Sequence, residues 1–401
     1  MATKGANLKI LHCVEFYFPS PGGAQAVVCQ ISEEMVRRGH EVTVATTRLP
    51  QRDAVELDGA RIEEFEVSGN AVRGLSGEVE RYRRFAVEGG FDVLMTYAAQ
   101  QWTTDALLPV LDRIPYGRVL APCGFSGLND PAYRDYFAAL PGELAKFDKL
   151  IFHSDTYQDI EFARRAGLEN LAVVPNGASM EEFANPGSDF RGRHGIDPGE
   201  PMLLTVGPHN WQKGHALAIE AFRAGLDRGT LVVMGNRPLR LGCQWDCRRR
   251  ALSSRLRSRG RKRVIILDAP RSEVLAAYEA ADLFVFGSPV ECSPLVLFEA
   301  AASATPFVSV ACGNAEEIAE WTGGGVVVPS ERGDGRVSAR PEALASEIER
   351  LWADPEARRR LAESGRSRWM EEFTWSEIAG RYESVYRRAA SARRGAGVGE
   401  P

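Results

Sequence analysis

Asp282-Leu-Phe-Val-Phe286-Gly-Ser-Pro-Val-Glu291-Cys-Ser-Pro-Leu-Val-Leu-Phe-Glu299 is the stretch on which the fold is read. Residues 282–286 are a short apolar run, as expected of a strand buried in a parallel sheet. Gly287, Ser288 and Pro289 break the strand. Residues 295–304 are rich in Leu and Ala and predict a helix. Glu291 then falls on a loop at the carboxyl end of a strand, and Glu299 about one turn into the next helix. Ligands of open α/β sheets bind outside those strand ends. A carboxylate there suits a vicinal diol such as a ribose. The backbone N–H groups around 294–296 suit a phosphate. Together they suggest a nucleotide-sugar site.

The same alternation extends along the chain. An apolar run at 8–14 predicts a strand, and residues 24–38 predict a helix, with Val27, Val28, Ile31 and Met35 at helical spacing. Gly39 reads as a left-handed cap, and 41–47 as the next strand. Further strands are expected at 92–96, 118–121, 149–153 and 171–174. A second series is expected at 202–206, 230–234, 264–267, 283–286, 306–310 and 326–328. Two βαβ series imply two doubly wound parallel sheets. The Pro-, Gly- and Asp-rich stretch 186–201 reads as a linker. The expected organisation is a first domain over 1–185, a second over 202–372 and a terminal helix over 373–392, with a loose Gly-rich end over 393–401.

Composition bounds the function. At 401 residues the chain is long enough for two domains. Hydrophobic residues make up 44% and charged residues 26%, as in ordinary globular proteins. A formal net charge of -5 implies no general affinity for nucleic acid. No run approaches the roughly 20 apolar residues that span a bilayer. The amino end has no apolar stretch of the kind that directs export, so a cytoplasmic location is expected. Seven scattered cysteines suggest reduced thiols. Cys243 and Cys247 are four apart, but no second ligand pair follows them. A helix-face coincidence is therefore the favoured reading, and zinc is not expected.

Lys213 lies in Gly207-Pro-His-Asn-Trp-Gln-Lys-Gly214, after a strand and ahead of a helix. A lysine there can meet a diphosphate as a point charge and neutralise the departing nucleotide. The alternative is a solvent-facing lysine, and the strand-end position favours the phosphate. Gly22 and Gly23 open a helix, where a backbone can approach an anion or simply turn tightly. The glycines are not the dinucleotide fingerprint. No Asp-x-Asp pair occurs, so no metal clamp on a diphosphate is expected. His12, His40, His153, His194 and His215 carry no metal spacing and read as packing or surface residues. Arg248 to Arg263 holds nine cationic residues and no acid, and reads as a solvated helix face. Arg81-Tyr-Arg-Arg84 is the better candidate for a weak peripheral membrane contact or for the acceptor.

These residues jointly resemble the retaining nucleotide-sugar glycosyltransferases of family four, which have the GT-B fold. The resemblance covers nearly the whole chain. It runs through Gly22-Gly23, Arg38-Gly-His-Glu-Val42, Val174-Pro-Asn-Gly177, Gly207, Lys213-Gly214, Ala280-Ala-Asp-Leu283, the pair Glu291 and Glu299, and Phe373-Thr-Trp375 with Tyr382 and Tyr386. It implies two facing Rossmann-like domains with a cleft between them. Glu299 should hold the ribose and Glu291 should lie near the donor sugar. Lys213 should contact the diphosphate. Gly23 and the backbone of Ser293, Pro294, Leu295 and Val296 should complete the phosphate cradle. It implies retention of the anomeric configuration, front-face attack without an enzymic nucleophile, and no metal or other cofactor. UDP is the commonest donor nucleotide in that family.

The chain departs from the pattern at several positions. Pro208 stands where the family often has Arg, and His209 is the basic residue nearest to replace it. Cys292 and Pro294 stand for family glycines, and Cys123 for a common histidine. The acceptor is accordingly expected outside the family's best-known types. Glu15, Tyr17, Tyr97, Gln100, Cys123 and Asn129, on strand-end loops of the first domain, are the candidates to bind it. Rival readings are a glycoside hydrolase using Glu291 and Glu299, a nucleotide-sugar epimerase, and a donor-binding protein without transfer activity.

Overall fold

The computed structural model describes residues 6–20, 22–184, 189–236 and 242–396. The chain divides into two compact units. One holds the residues up to Asn176 together with those from Trp375 onward, and the other holds Gly177–Thr374.

In the first unit the strands are Lys9–Cys13 (β1), Glu41–Thr47 (β2), Glu56–Leu57 (β3), Ala60–Phe65 (β4), Val67–Asn70 (β5), Gly74–Gly77 (β6), Val93–Tyr97 (β7), Gly117–Ala121 (β8), Lys149–Phe152 (β9) and Leu171–Val173 (β10). The main sheet runs β10-β9-β8-β7-β1-β2-β4-β3, with only β3 antiparallel. β5 and β6 make a separate antiparallel hairpin. The order steps outward in both directions from β1 and β7, the doubly wound arrangement. Helix Gly23–Arg37 buries Val27, Val28, Ile31 and Met35. Gly39, at φ 92, lets the chain turn into β2 while its N–H bonds Val36 O at 2.8 Å. Helix Trp375–Ala396 belongs to this unit. Its Ile378, Tyr382, Val385 and Tyr386 are buried, and Tyr386 Oη lies 2.9 Å from His12 Nε2.

In the second unit the strands are Met202–Val206 (β11), Gly229–Met234 (β12), Lys262–Leu267 (β13), Leu283–Phe286 (β14), Phe307–Val310 (β15) and Gly325–Val328 (β16), with a small antiparallel hairpin of Glu331–Gly333 (β17) and Arg336–Ser338 (β18). The main sheet is entirely parallel, in the order β13-β12-β11-β14-β15-β16. Its strand order reverses between β11 and β14, the topological switch point of a Rossmann sheet. β14 is buried along its whole length, as its apolar run demands.

Three expectations change. The division falls at Asn176, ahead of the stretch read as a linker. Within that stretch Phe190–Arg193 is a helical turn of the second unit, held by Arg191 on Asp282 at 2.9 Å. Residues 186–188 lie outside the described residues. The expected loose end is helical through Ala396, where Arg393 meets Asp148 at 2.9 Å, and 397–401 lie outside the described residues. Strands β3 to β6 are additional, because Ala-Arg-Ile-Glu-Glu-Phe and the Gly-rich hairpin lack the apolar run of an inner strand.

Candidate active site

The site of the second unit is built at its switch point. β11 ends at Val206 and passes through Gly207 to a short turn of helix, Trp211–Lys213. β14 ends at Phe286 and passes into the loop carrying Glu291. The neighbouring strand ends bring the two loops together, and Lys213 Nζ lies 2.7 Å from Glu291 Oε1. Ser288 Oγ donates to the same carboxylate oxygen at 2.8 Å. It also reaches Gln212 O at 2.6 Å, tying one loop to the other. Gly207 leaves room for the lysine stem: a Cβ there would stand 3.2 Å from Lys213 Cγ, close enough that the side chain would have to shift. Gly214 has φ 64, and a Cβ there would fall 1.9 Å from Gly287 O. Only glycine allows these two backbones to approach.

Pro294 caps helix Leu295–Ala302 from an extended conformation. Leu295 and Val296 open its first turn, where N–H groups have no intrahelical acceptor. Ser293 is half-buried just ahead of them. The helix end therefore presents a positive dipole four residues beyond Glu291, the partner of Lys213, a good setting for an anion. Glu299 points its Oε1 at Arg271 at 2.5 Å, and Arg271 also bonds Glu182 Oε1 at 3.0 Å. Burial alone would lower the guanidinium's pKa, but the carboxylates of Glu299 and Glu182 outweigh it and hold the group charged. Burial, with Glu299 nearby, pushes the Tyr278 phenol well above its ordinary range.

His209 does not replace the missing arginine. Its side chain is fully buried, with Nδ1 3.3 Å from His215 Nδ1 and 3.8 Å from Cys243 Sγ. Cys243 Sγ is also 3.8 Å from His215 Nδ1 and from Cys247 Sγ. The cysteine pair does have a second pair beside it. It lies upstream, as His209 and His215, and the expectation looked only downstream. The spacings His-x5-His and Cys-x3-Cys were the available signal. Ser288, Arg271 and Glu182 were missed altogether, because nothing local in the sequence marks them.

The first-unit candidates fare unevenly. Gly22 caps helix Gly23–Arg37 and both glycines are exposed. Tyr17 and Tyr97 are buried core residues. Burial, with Cys29 nearby, raises the Tyr17 pKa, and Tyr97 Oη lies 2.9 Å from His153 Nε2. Neither is a surface contact for an acceptor, since large aromatic rings at strand ends find more contact inside the sheet. Glu15 is half-buried, its pKa raised by burial and by the Asp105 carboxylate. Gln100 Oε1 accepts from Gly127 N at 3.1 Å. Cys123 is half-buried and Asn129 exposed. Ala98, Gln100, Cys123 and Phe125 all have positive φ. The loops after β7 and β8 thus concentrate backbone strain, as functional loops do.

The charged runs are mostly exposed, as a solvated helix face should be, with some members paired inside their own unit. Arg81 pairs with Glu78 at 3.2 Å and covers the Phe65 ring. Arg83 pairs with Glu80, and Tyr82 is buried. Arg81 and Arg84 remain exposed on this helix. In the 248–263 run, Lys262 Nζ donates to Arg223 O and Gly225 O at 2.8 and 2.6 Å, closing a helix end. A hollow of about 350 Å³ beside Arg257, Lys262 and Glu342 opens at the amino ends of the strands, away from the Lys213–Glu291 pair. Among the described residues, no helix is long and apolar enough to cross a membrane.

Known proteins match this architecture. The family model for glycosyl transferases group 1 matches residues 188–368, and that for a glycosyl transferase 4-like domain matches residues 22–177. A D-inositol 3-phosphate glycosyltransferase of Xylanimonas cellulosilytica is 26% identical, covering 93% of this chain and 93% of the relative. Among solved structures, a sucrose-phosphate synthase of Thermosynechococcus elongatus superposes with a TM-score of 0.77 at 22% identity, covering 96% of this chain and all of that one (100%). Anabaena HepE, solved in complex with UDP and glucose, superposes with a TM-score of 0.70 at 17% identity, covering 95% of this chain and 100% of that one.

Proposed function

We infer the reaction from kinship and site together: the chain belongs to the glycosyltransferases of the family-four type, with the GT-B fold, and its second unit carries a donor site for a nucleotide sugar. The observation that carries this reading is the Lys213–Glu291 pair, at 2.7 Å, on the two loops of the β11–β14 switch point. Lys213 meets Glu291 there, the helix of Leu295–Ala302 begins four residues after Glu291, and a cation and a helix N-terminus each suit a diphosphate.

In this reading Lys213 and the first-turn N–H groups of Leu295 and Val296 take the diphosphate. Glu291 orients Lys213 and accepts from a hydroxyl of the donor sugar. Arg271 occupies Glu299 Oε1, so the ribose hydroxyls donate to Oε2. As the glycosidic bond breaks, negative charge grows on the leaving nucleotide and Lys213 neutralises it. The acceptor hydroxyl attacks from the face that the nucleotide leaves. A donor phosphate oxygen takes its proton, and the anomeric configuration is retained. Charge on the diphosphate is balanced by Lys213 and backbone amides, without a divalent cation. UDP is the favoured nucleotide, supported by the UDP held in the similar HepE fold. The acceptor is a hydroxyl of a small molecule, saccharide or lipid-linked sugar.

A thermal-shift screen of UDP-, GDP-, ADP- and TDP-sugars tests the donor. A ligand at 100 times its Kd stabilises by about 2.7 kcal/mol, so the true donor class stands out. UDP-sugars are expected to give the largest shift. No shift with any nucleotide sugar, or a transfer product of inverted anomeric configuration by NMR, contradicts the reading. An isomerised sugar nucleotide from donor alone would mark an epimerase instead.

A further inference from the structure

We propose that His209, His215, Cys243 and Cys247 form a structural zinc site that fastens the Lys213 loop to helix Gln244–Arg257. The site is separate from the diphosphate-binding groups, and its existence does not depend on what the donor is.

All four side chains are buried, and their ligand atoms lie within 4.8 Å of one another. A tetrahedral zinc ion, with bonds of about 2.3 Å to sulfur and about 2.05 Å to nitrogen, requires edges of about 3.8 Å (S···S), about 3.6 Å (S···N) and about 3.3 Å (N···N). The observed separations are 3.8 Å between sulfurs and 3.3 Å between Nδ1 atoms. They are 3.8 Å from Cys243 Sγ to each Nδ1. The sulfurs are far too distant for a disulfide, whose bond is about 2.05 Å, and both cysteines are free.

The donor set selects the metal. Two thiolates and two imidazoles in a closed tetrahedron suit zinc. Two thiolates also balance the ion's double charge, so the filled site is neutral and can be buried. The metal-free alternative is a poor hydrogen-bond network. The two Nδ1 atoms face each other and cannot both donate, and thiols are weak partners. Neither Nε2 has a hydrogen-bond partner among the described residues, so with Nδ1 on the metal each ring would bury its Nε2–H without an acceptor. The metal bonds must offset the burial of those two N–H groups.

The elements explain the grouping. His209 follows the end of β11, and His215 is the first residue of helix His215–Ala224. Cys243 caps helix Gln244–Arg257, and Cys247 lies one turn inside it, with its N–H on Cys243 O at 2.9 Å. Lys213 sits on the loop between the two histidines, two residues before His215. A metal across these termini would hold the loop that presents the lysine.

The test is metal content of the full chain, purified under reducing conditions without chelator, followed by Co²⁺ titration of the zinc-stripped protein. The expected result is about one zinc per chain and, with Co²⁺, a thiolate charge-transfer band with intense tetrahedral visible bands. Cys243→Ser with Cys247→Ser should lower zinc content by about tenfold or more. Two results overturn the proposal. One is folded wild-type protein that binds neither zinc nor cobalt through thiolate. The other is a double variant that keeps its full zinc content. The cobalt spectrum of the wild type decides the matter even if the variant fails to fold. A failed nucleotide-sugar screen with zinc present would count against the donor reading alone.

Discussion

Lys213 is held in place by its neighbours. The absent Cβ of Gly207 leaves room for its stem, and Glu291 aims its ammonium. Removing it should therefore affect chemistry more than folding. Lys213→Ala is expected to lower kcat by about 10²- to 10³-fold, the cost of losing one preorganised electrostatic group. Transfer at the wild-type rate would rule out the leaving-group role. A second prediction concerns His12, whose pKa burial pushes down to about 3 from an ordinary 6.5. The unfolded chain takes up this proton before the native chain does. His12 therefore contributes stability above about pH 6.5 that is lost as the pH falls toward 3. His12→Gln should flatten this part of the Tm-against-pH curve, and an unchanged slope between those values would refute the assignment. At this scale the paired glutamates and Lys213 were legible, because strand-end position is a local property. Arg271 and Glu182 were not, since long-range pairing alone gives them roles, and Ser288 ties the two loops together only through its long-range bond to Gln212 O.

The loops between strand and helix are the elements on which the site depends, and glycine decides their path. Gly214→Ala would place a methyl 1.9 Å from Gly287 O at a backbone φ of 64. Strain of this kind costs about 1–3 kcal/mol, and the steric overlap adds to it. The expected outcome is a lower Tm together with reduced transfer, since the residue adjoins Lys213. A variant as stable and active as wild type would mean that the two loops do not approach as described. Inner strands such as β14 were legible from their apolar runs. Strand β4, next to the edge, and the β5–β6 hairpin were not, because a strand with a solvated side carries charge like any loop. Helix Gln244–Arg257 shows the same limit. The Cys-x3-Cys spacing on it was visible, but its partners lie across the fold on another loop.

At the scale of the whole molecule, the first unit is assembled from both ends of the chain. Helix Trp375–Ala396 buries Ile378, Tyr382, Val385 and Tyr386 and salt-bridges Arg393 to Asp148. Each large apolar side chain contributes about 1.5–3 kcal/mol when buried, and domains hold only about 5–15 kcal/mol of net stability. Truncation after Thr374 should therefore leave the first unit unable to fold, seen as loss of its cooperative melting transition and as aggregation. A truncated chain with a wild-type melt would refute this. Apolar period and turn chemistry are local, and from them the sequence alone determined that two parallel sheets form, where their inner strands lie and which strand ends carry carboxylates and lysine. Strand order is a matter of long-range pairing. Only the tertiary structure decided that β11 and β14 are neighbours, that Tyr17, Tyr97 and His209 turn inward, and that two histidines meet two cysteines, because each of these depends on packing between segments far apart in the chain.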